Sequence, residues 1–315
     1  MNSRLSSKKP LRTLLTLAIL SMISYFFIDR LSKSWTSVNE TIDLRISLFS
    51  FLAILLILLA VIMSGVLWSL ILEMLDKKSK RIASPEYVRV HLGAWLLKYV
   101  PGQVGAFIYK ISWGSKRGLK KTDVTLSFIY EYLFMTIAST LPTSIILLLF
   151  GDLSPFVNWI LLFILLDSTL LLASRPVMEI FISIISKKMK FETINKSLIR
   201  ASGVIKFSAI YCIPRLFNGL GFVAIAASIT SIEANSIAPL AASYVLAGII
   251  GVYAILVPSG LGVREAMIVL FSAGVIGTEE AIILAIVARF YATAADGLIG
   301  LIYSLMTVRN RREKT

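Results

Sequence analysis

Two short runs set helix breakers beside ionisable side chains inside apolar sequence. Residues 254–270 read AILVPSGLGVREAMIVL, and residues 98–110 read KYVPGQVGAFIYK. Pro258 has no backbone N–H to donate and disfavours helix at Val257, while Gly260 and Gly262 admit conformations closed to other residues. A helix that stops there and restarts near Gly262 turns its free N–H groups, with their positive partial charge, toward the break. Such an end suits an anion, and the Arg264 guanidinium adds a fork matched to phosphate or carboxylate. Glu265 falls in the first turn of the new helix, where its charge suits the dipole. A local Arg264–Glu265 pair that only holds the turn is the competing reading. Pro101, Gly102 and Gly105 break the other run by the same devices. Lys98 and Lys110 flank it, either as anion contacts or as side chains that reach for the membrane surface.

Further charges lie within apolar stretches. Glu131 and Arg289 each enter a span by about eight or nine residues, which at ~1.5 Å per residue places both roughly 12–14 Å deep, on either side of the midplane. A lone charge at that depth is costly, so the expectation is that Glu131 meets Arg289. Asp296 follows Arg289 on nearly the same helix face and is the alternative partner. Asp167 has no obvious partner, and Arg215, directly after Pro214, is another cation facing an interior. For each of these a structural ion pair weighs as much as a role in transport.

The elements that must carry these groups are membrane helices. The chain has 315 residues, of which 57% are apolar and only 16% charged, far from the composition of a soluble domain. Runs of roughly 20 apolar residues, enough to cross a bilayer, are expected at 11–29, 46–72, 124–150, 157–174, 207–230 and 280–306. The first, with its basic flank and no clear cleavage site, reads as a retained signal anchor. The two broken runs sit in segments 84–115 and 238–276.

Most of the 32 Lys and Arg residues lie in the N-terminus, 73–90, 98–122, 175–206 and the C-terminus. The positive-inside rule puts those stretches, and both termini, in the cytoplasm of a multi-pass protein of the cytoplasmic membrane. Segment 84–115 then has both ends on one side and should dip in and return. Segment 238–276 is flanked by Glu233, Glu279 and Glu280 and should do the same from outside. Pro258 follows Pro101 by 157 residues, and the same shift carries spans 46–72 and 124–150 close to 207–230 and 280–306. The expected fold is an all-α polytopic membrane protein, a single transmembrane domain over residues 1–315. It has six full spans plus two re-entrant helical hairpins, in inverted-topology repeat halves 1–155 and 156–315. Repeats of that kind place a binding site on broken helices near the midplane.

Several classes are argued against. The net charge of +14 is split among loops without interleaved aromatics, so it reads as an orientation signal and not as a nucleic-acid surface. One histidine, His91, and one cysteine, Cys212, cannot build a His/Cys metal site. No nucleotide-binding Gly-rich loop, no cofactor motif and no nucleophile with a base stands out, so no enzyme activity is expected.

The stretches VPSGLGVREA and AIVARFYATAADGLIGL resemble the C-terminal signature of the flippase-like transmembrane family, which includes the membrane region of lysylphosphatidylglycerol synthase. LLKYVPGQVGAFIYKISWGSKRG and the Glu131 of IYEYLF resemble the N-terminal half of the same family. The resemblance covers essentially the whole chain and is strongest over 94–131 and 248–297. Ser259 stands where Gly is frequent, and Lys110 stands where Arg is expected. The resemblance implies a lipid-handling protein without lysyl transfer, since no synthase domain is present. On that basis an anionic headgroup, of a phospholipid or a polyprenyl-phosphate-linked glycan, enters between the two hairpins. Arg264 and the Gly260–Gly262 helix start hold phosphate; Glu131, Arg289 and Asp296 line a polar path. Membrane lipids are the expected ligands and enzymes of lipid-linked glycan assembly the expected partners. The alternatives are a non-transporting scaffold for a glycosyltransferase or lipid-modifying enzyme, and a proton-coupled transporter of small anions.

Overall fold

The computed structural model describes residues 48–82, 84–99, 104–173, 199, 201–254 and 257–312. The expected first span at 11–29, most of the basic segment 175–206, and Pro101 and Gly102 lie outside the described residues. Every regular element among the described residues is helical. Nine α-helices are described: α1 (Leu48–Leu75), α2 (Ser84–Leu96), α3 (Val104–Lys116), α4 (Lys121–Phe150), α5 (Pro155–Ala173), α6 (Ala201–Ala227), α7 (Ile237–Tyr253), α8 (Val263–Ile276) and α9 (Thr278–Arg312).

Among the described residues, six helical segments are long and apolar enough to cross a membrane: 48–75, 121–150, 155–172, 202–227, 234–253 and 278–309. Five match the expected spans to within a few residues. The sixth, α7 with its preceding turn, falls where one arm of a hairpin was expected. Its 17 residues, IAPLAASYVLAGIIGVY, hold no charge, so nothing in its composition keeps it from crossing alone. The corresponding α2 has 13 residues and carries Glu86 and Arg89.

α1 lies along α6, α4 along α7, and α8 against both α7 and α9. The buried face of α1 includes Ala53, Ala60 and Ser64; small residues let helices approach closely where lipid offers no hydrophobic drive for association. Helix α5 is peripheral and presents Phe156, Trp159 and Phe163 outward, an apolar face suited to lipid.

Both broken runs form a helix–turn–helix unit. In the first, α2 runs into a 3₁₀ turn at Leu97–Tyr99 and the chain resumes as α3; in the second, α7 is followed by a 3₁₀ turn at Pro258–Gly260 and then α8. Within each unit the two helices pack on each other, and the two 3₁₀ turns touch. The second turn requires its glycine: Gly260 has φ 63°, and a Cβ there would stand 2.6 Å from the carbonyl oxygen of Gly251. Ser259 also adopts positive φ, 55°, and Gly262 follows at 81°.

The open end of the first unit is closed by charge and aromatic rings. Pro85 and Glu86 occupy the first turn of α2, where a missing N–H and a negative charge both suit a helix start. Glu86 accepts hydrogen bonds from Trp113 Nε1 at 2.9 Å and from Arg117 Nε at 2.9 Å, beyond the end of α3. Trp113 in turn packs on Tyr87 and on Trp68 of α1. Burial works to raise the Glu86 pKa, but the donors from Trp113 and Arg117 and the nearby guanidinium charges hold it below the ordinary value. A carboxylate whose pKa is depressed on folding contributes stability above its unfolded pKa and loses it as pH falls through the folded value. Glu86→Gln should therefore lower stability by about 1 kcal/mol at pH 7. It should also flatten the decline in Tm that the parent protein shows below pH 4.5, measured by thermal unfolding in detergent across pH.

Candidate functional site

Where the two 3₁₀ turns meet, a cavity of about 150 Å³ opens, with walls from α1, α2, α3, α4, α6, α7, α8 and α9. Its charged lining is Lys98, Lys110, Arg215, Arg264, Glu131 and Asp296. A layer of apolar helices thus surrounds six Lys, Arg, Asp and Glu side chains, and each must find a partner or remain in contact with whatever fills the cavity.

Glu131, on α4, is 5% exposed and is shared by two groups. Its Oε2 accepts from the Lys110 ammonium at 2.5 Å, and its Oε1 lies 3.2 Å from His91 Nδ1. Lys110 also sits 4.1 Å above the Trp68 ring, an electrostatic contact with the negative face of the indole. Asp296, on α9, accepts from Trp95 Nε1 and Lys98 Nζ, both at 2.8 Å, and Lys98 covers the Trp95 ring at 4.2 Å. That cluster ties the first turn to the last long helix.

Glu265 is committed elsewhere. It accepts the Gly262 N–H at 2.5 Å, three residues back in the manner of a capping box, and its other oxygen stands 3.5 Å from Arg289 Nη1. The start of α8, expected from sequence to be free for an outside anion, is thus already occupied by the chain's own carboxylate. Arg264 is not the partner of Glu265; its guanidinium lies 4.3 Å over the Tyr244 ring on the cavity wall.

The expected Glu131–Arg289 pair does not form, and neither does its alternative, Arg289–Asp296. The reason is packing. α3 lies on α4 and α8 lies on α9, so each buried charge is met from the helix just before it: Glu131 by Lys110, Arg289 by Glu265. Asp296 sits two turns beyond Arg289 and faces the turn that carries Lys98.

Two guanidinium groups remain. Arg215 and Arg264 have no carboxylate partner among the described residues, and the Nε of each is buried without a hydrogen bond. The hydroxyl of Tyr211, one turn before Arg215, is likewise buried and unpartnered, as is His91 Nε2. All four residues line the cavity. Of the residues singled out from sequence, Lys110, Glu131, Arg264 and Asp296 come together here. Pro258, Gly260 and Gly262 shape the turn beside them, Glu265 and Arg289 brace it from outside the lining, and Gly105 falls in the first turn of α3. Sequence reasoning passed over Trp95, named His91 only to set aside a metal site, left Lys98 between an anion contact and a side chain reaching for the surface, and gave Arg215 no partner. Spacing held a signal for three of them: His91, Trp95 and Lys98 are separated by four and three residues, which puts them on one helical face.

A scan against protein-family models gives no match, and a search of curated proteins finds none similar to this chain.

Removing one member of a buried ion pair leaves the other uncompensated, at a cost of roughly 3–5 kcal/mol. Lys110→Met and Glu131→Gln should each lower thermal stability in detergent by about that much, and the double variant should recover a large part of it. The parallel cycle on Glu131→Gln and Arg289→Gln should be additive.

Proposed function

We propose that the chain is a flippase-like membrane protein that binds the anionic headgroup of a lipid in the central cavity and passes it across the cytoplasmic membrane. The observation that carries this reading is the pair of guanidinium groups, Arg215 and Arg264, facing the cavity without a carboxylate. A buried cation left alone costs several kcal/mol, and a phosphate entering the cavity removes that cost through charge-assisted hydrogen bonds. The cavity is of headgroup size, so the acyl or prenyl tail stays among the apolar helix faces outside. The ligand is a phospholipid or a polyprenyl-phosphate-linked glycan; both present phosphate on an apolar tail. The resemblance of VPSGLGVREA and LLKYVPGQVGAFIYK to the flippase-like family supports the same reading, and enzymes that make or use lipid-linked glycans are the partners it implies.

In this reading the two helix–turn–helix units are re-entrant hairpins that enter from opposite sides, and the chain is an inverted repeat. Two observations support it. The turns touch each other. A shift of 157 residues carries the first residues of α1, α2, α3 and α4 to within four residues of the first residues of α6, α7, α8 and α9. Alternating access would then be a rocking of one half against the other around the cavity.

Topology is tested by single cysteines at two exposed serines. One at Ser115, next to Lys116 and Arg117, should react only with reagents that reach the cytoplasm, and one at Ser154 should react from outside. Labelling of Ser115 from outside would remove the re-entrant first unit and the inverted repeat. Headgroup binding is tested by lipid retention and by movement of a fluorescent phospholipid in proteoliposomes. Arg264→Ala should reduce both by about tenfold or more, the loss of one charge-assisted contact. Arg264→Lys, which keeps the charge but not the fork, should fall between. Equal retention and movement by all three proteins would leave Arg264 as a wall of the cavity and no more.

A further inference from the structure

Resting on the headgroup reading above, we infer that the group held in the cavity carries two negative charges: a phosphomonoester or a diphosphate, not the single charge of a phosphodiester. The balance of the lining leads there. Lys110 and Glu131 sum to zero wherever their shared proton sits, and so do Lys98 and Asp296. His91 competes with Lys110 for one carboxylate, 3.5 Å from the ammonium, and adding a second positive charge there is opposed by the first. Arg289 and Glu265 compensate each other outside the lining. Arg215 and Arg264 remain, and guanidinium groups keep their charge in proteins. The cavity therefore presents two positive charges that no side chain among the described residues answers.

The unpartnered atoms agree with that count. Arg215 Nε, Arg264 Nε and the Tyr211 hydroxyl are buried without hydrogen bonds, and Tyr211 is only 1% exposed. Each of the three can donate a hydrogen bond, and a fully ionised phosphate group offers only acceptors. Tyr211 and Arg215 lie four residues apart on one face of α6, while Arg264 opens α8, so the three residues line the cavity from two elements. A phosphodiester, with one charge, would leave one guanidinium uncompensated in a setting where that is expensive.

The test titrates the intact protein in detergent or nanodiscs with phosphatidic acid, a polyprenyl-diphosphate-linked sugar, phosphatidylglycerol, inorganic phosphate and pyrophosphate. Binding is read by native mass spectrometry. At pH 8 the phosphatidic acid and the diphosphate lipid should bind at least about tenfold tighter than phosphatidylglycerol. At pH 5, below the second ionisation of a phosphomonoester near pH 6, phosphatidic acid should fall to the level of phosphatidylglycerol while the diphosphate lipid keeps its advantage. Arg215→Gln and Arg264→Gln should each abolish the preference; should either fail to fold, the lipid series and its pH arm on the parent protein decide alone. Equal binding of phosphatidylglycerol and the dianionic lipids would overturn the two-charge assignment and leave the headgroup reading standing. Binding of pyrophosphate with no lipid bound would keep the two-charge site and overturn the lipid reading. Binding of none of the probes would overturn both.

Discussion

Stopping a helix among apolar neighbours releases peptide groups that have no water to turn to, and those groups must be satisfied within a few residues. The second break meets this demand in sequence order. The Ala254 N–H reaches back to Ile250, Val257 to Ala254, Gly260 to Val257, and the Gly262 N–H goes to the Glu265 carboxylate. That last bond puts a charge on the end of α8, and the charge in turn fixes Arg289 beside it on α9. Because Glu265 is spent on the helix start, its sequence neighbour Arg264 is released to lie over Tyr244 and face the cavity. The availability of one guanidinium thus descends from the need to cap one amide.

The two helix–turn–helix units, each with the long helix that follows it, answer the same problem with opposite signs. In the first, the helix after the turn supplies a cation, Lys110, and the long helix that follows supplies the anion, Glu131. In the second, the helix after the turn supplies the anion, Glu265, and the long helix supplies the cation, Arg289. Each unit is neutral at this contact, so neither needs the other for it. An ion pair that does cross between them is the Lys98–Asp296 bridge with Trp95, which joins the first turn to α9.

Membrane helices were legible in the sequence because length and apolar composition alone decide whether a segment can cross. The breaks at Pro258 and Gly260 were legible because few residue types force them. Ion pairing was not. A hydropathy profile puts Glu131 and Arg289 at matching depths, but which helices lie side by side is a separate matter of packing. Once α3 lies on α4, Lys110 reaches Glu131 first, and the longer-range partner is excluded. Arg215 was visible as a cation in an apolar helix, but its isolation could be read only after every carboxylate near the cavity had been assigned. α7 reads as a hairpin arm from the break that follows it and from the acidic flanks of segment 238–276, while its length and composition taken alone are those of a helix that can cross.

The cluster around Trp95 has an optical consequence. Its indole N–H is bound by Asp296, its face is covered by Lys98, and its ring borders the cavity. Trp68 and Trp113 instead lie against each other with centroids 5.7 Å apart, and neither ring is part of the cavity lining. Indole emission shifts with the electric field along the ring, and both charges that set the field at Trp95 belong to the cavity lining. The protein therefore carries a built-in chromophore at its central cavity, one whose colour is tied to what happens to Lys98 and Asp296.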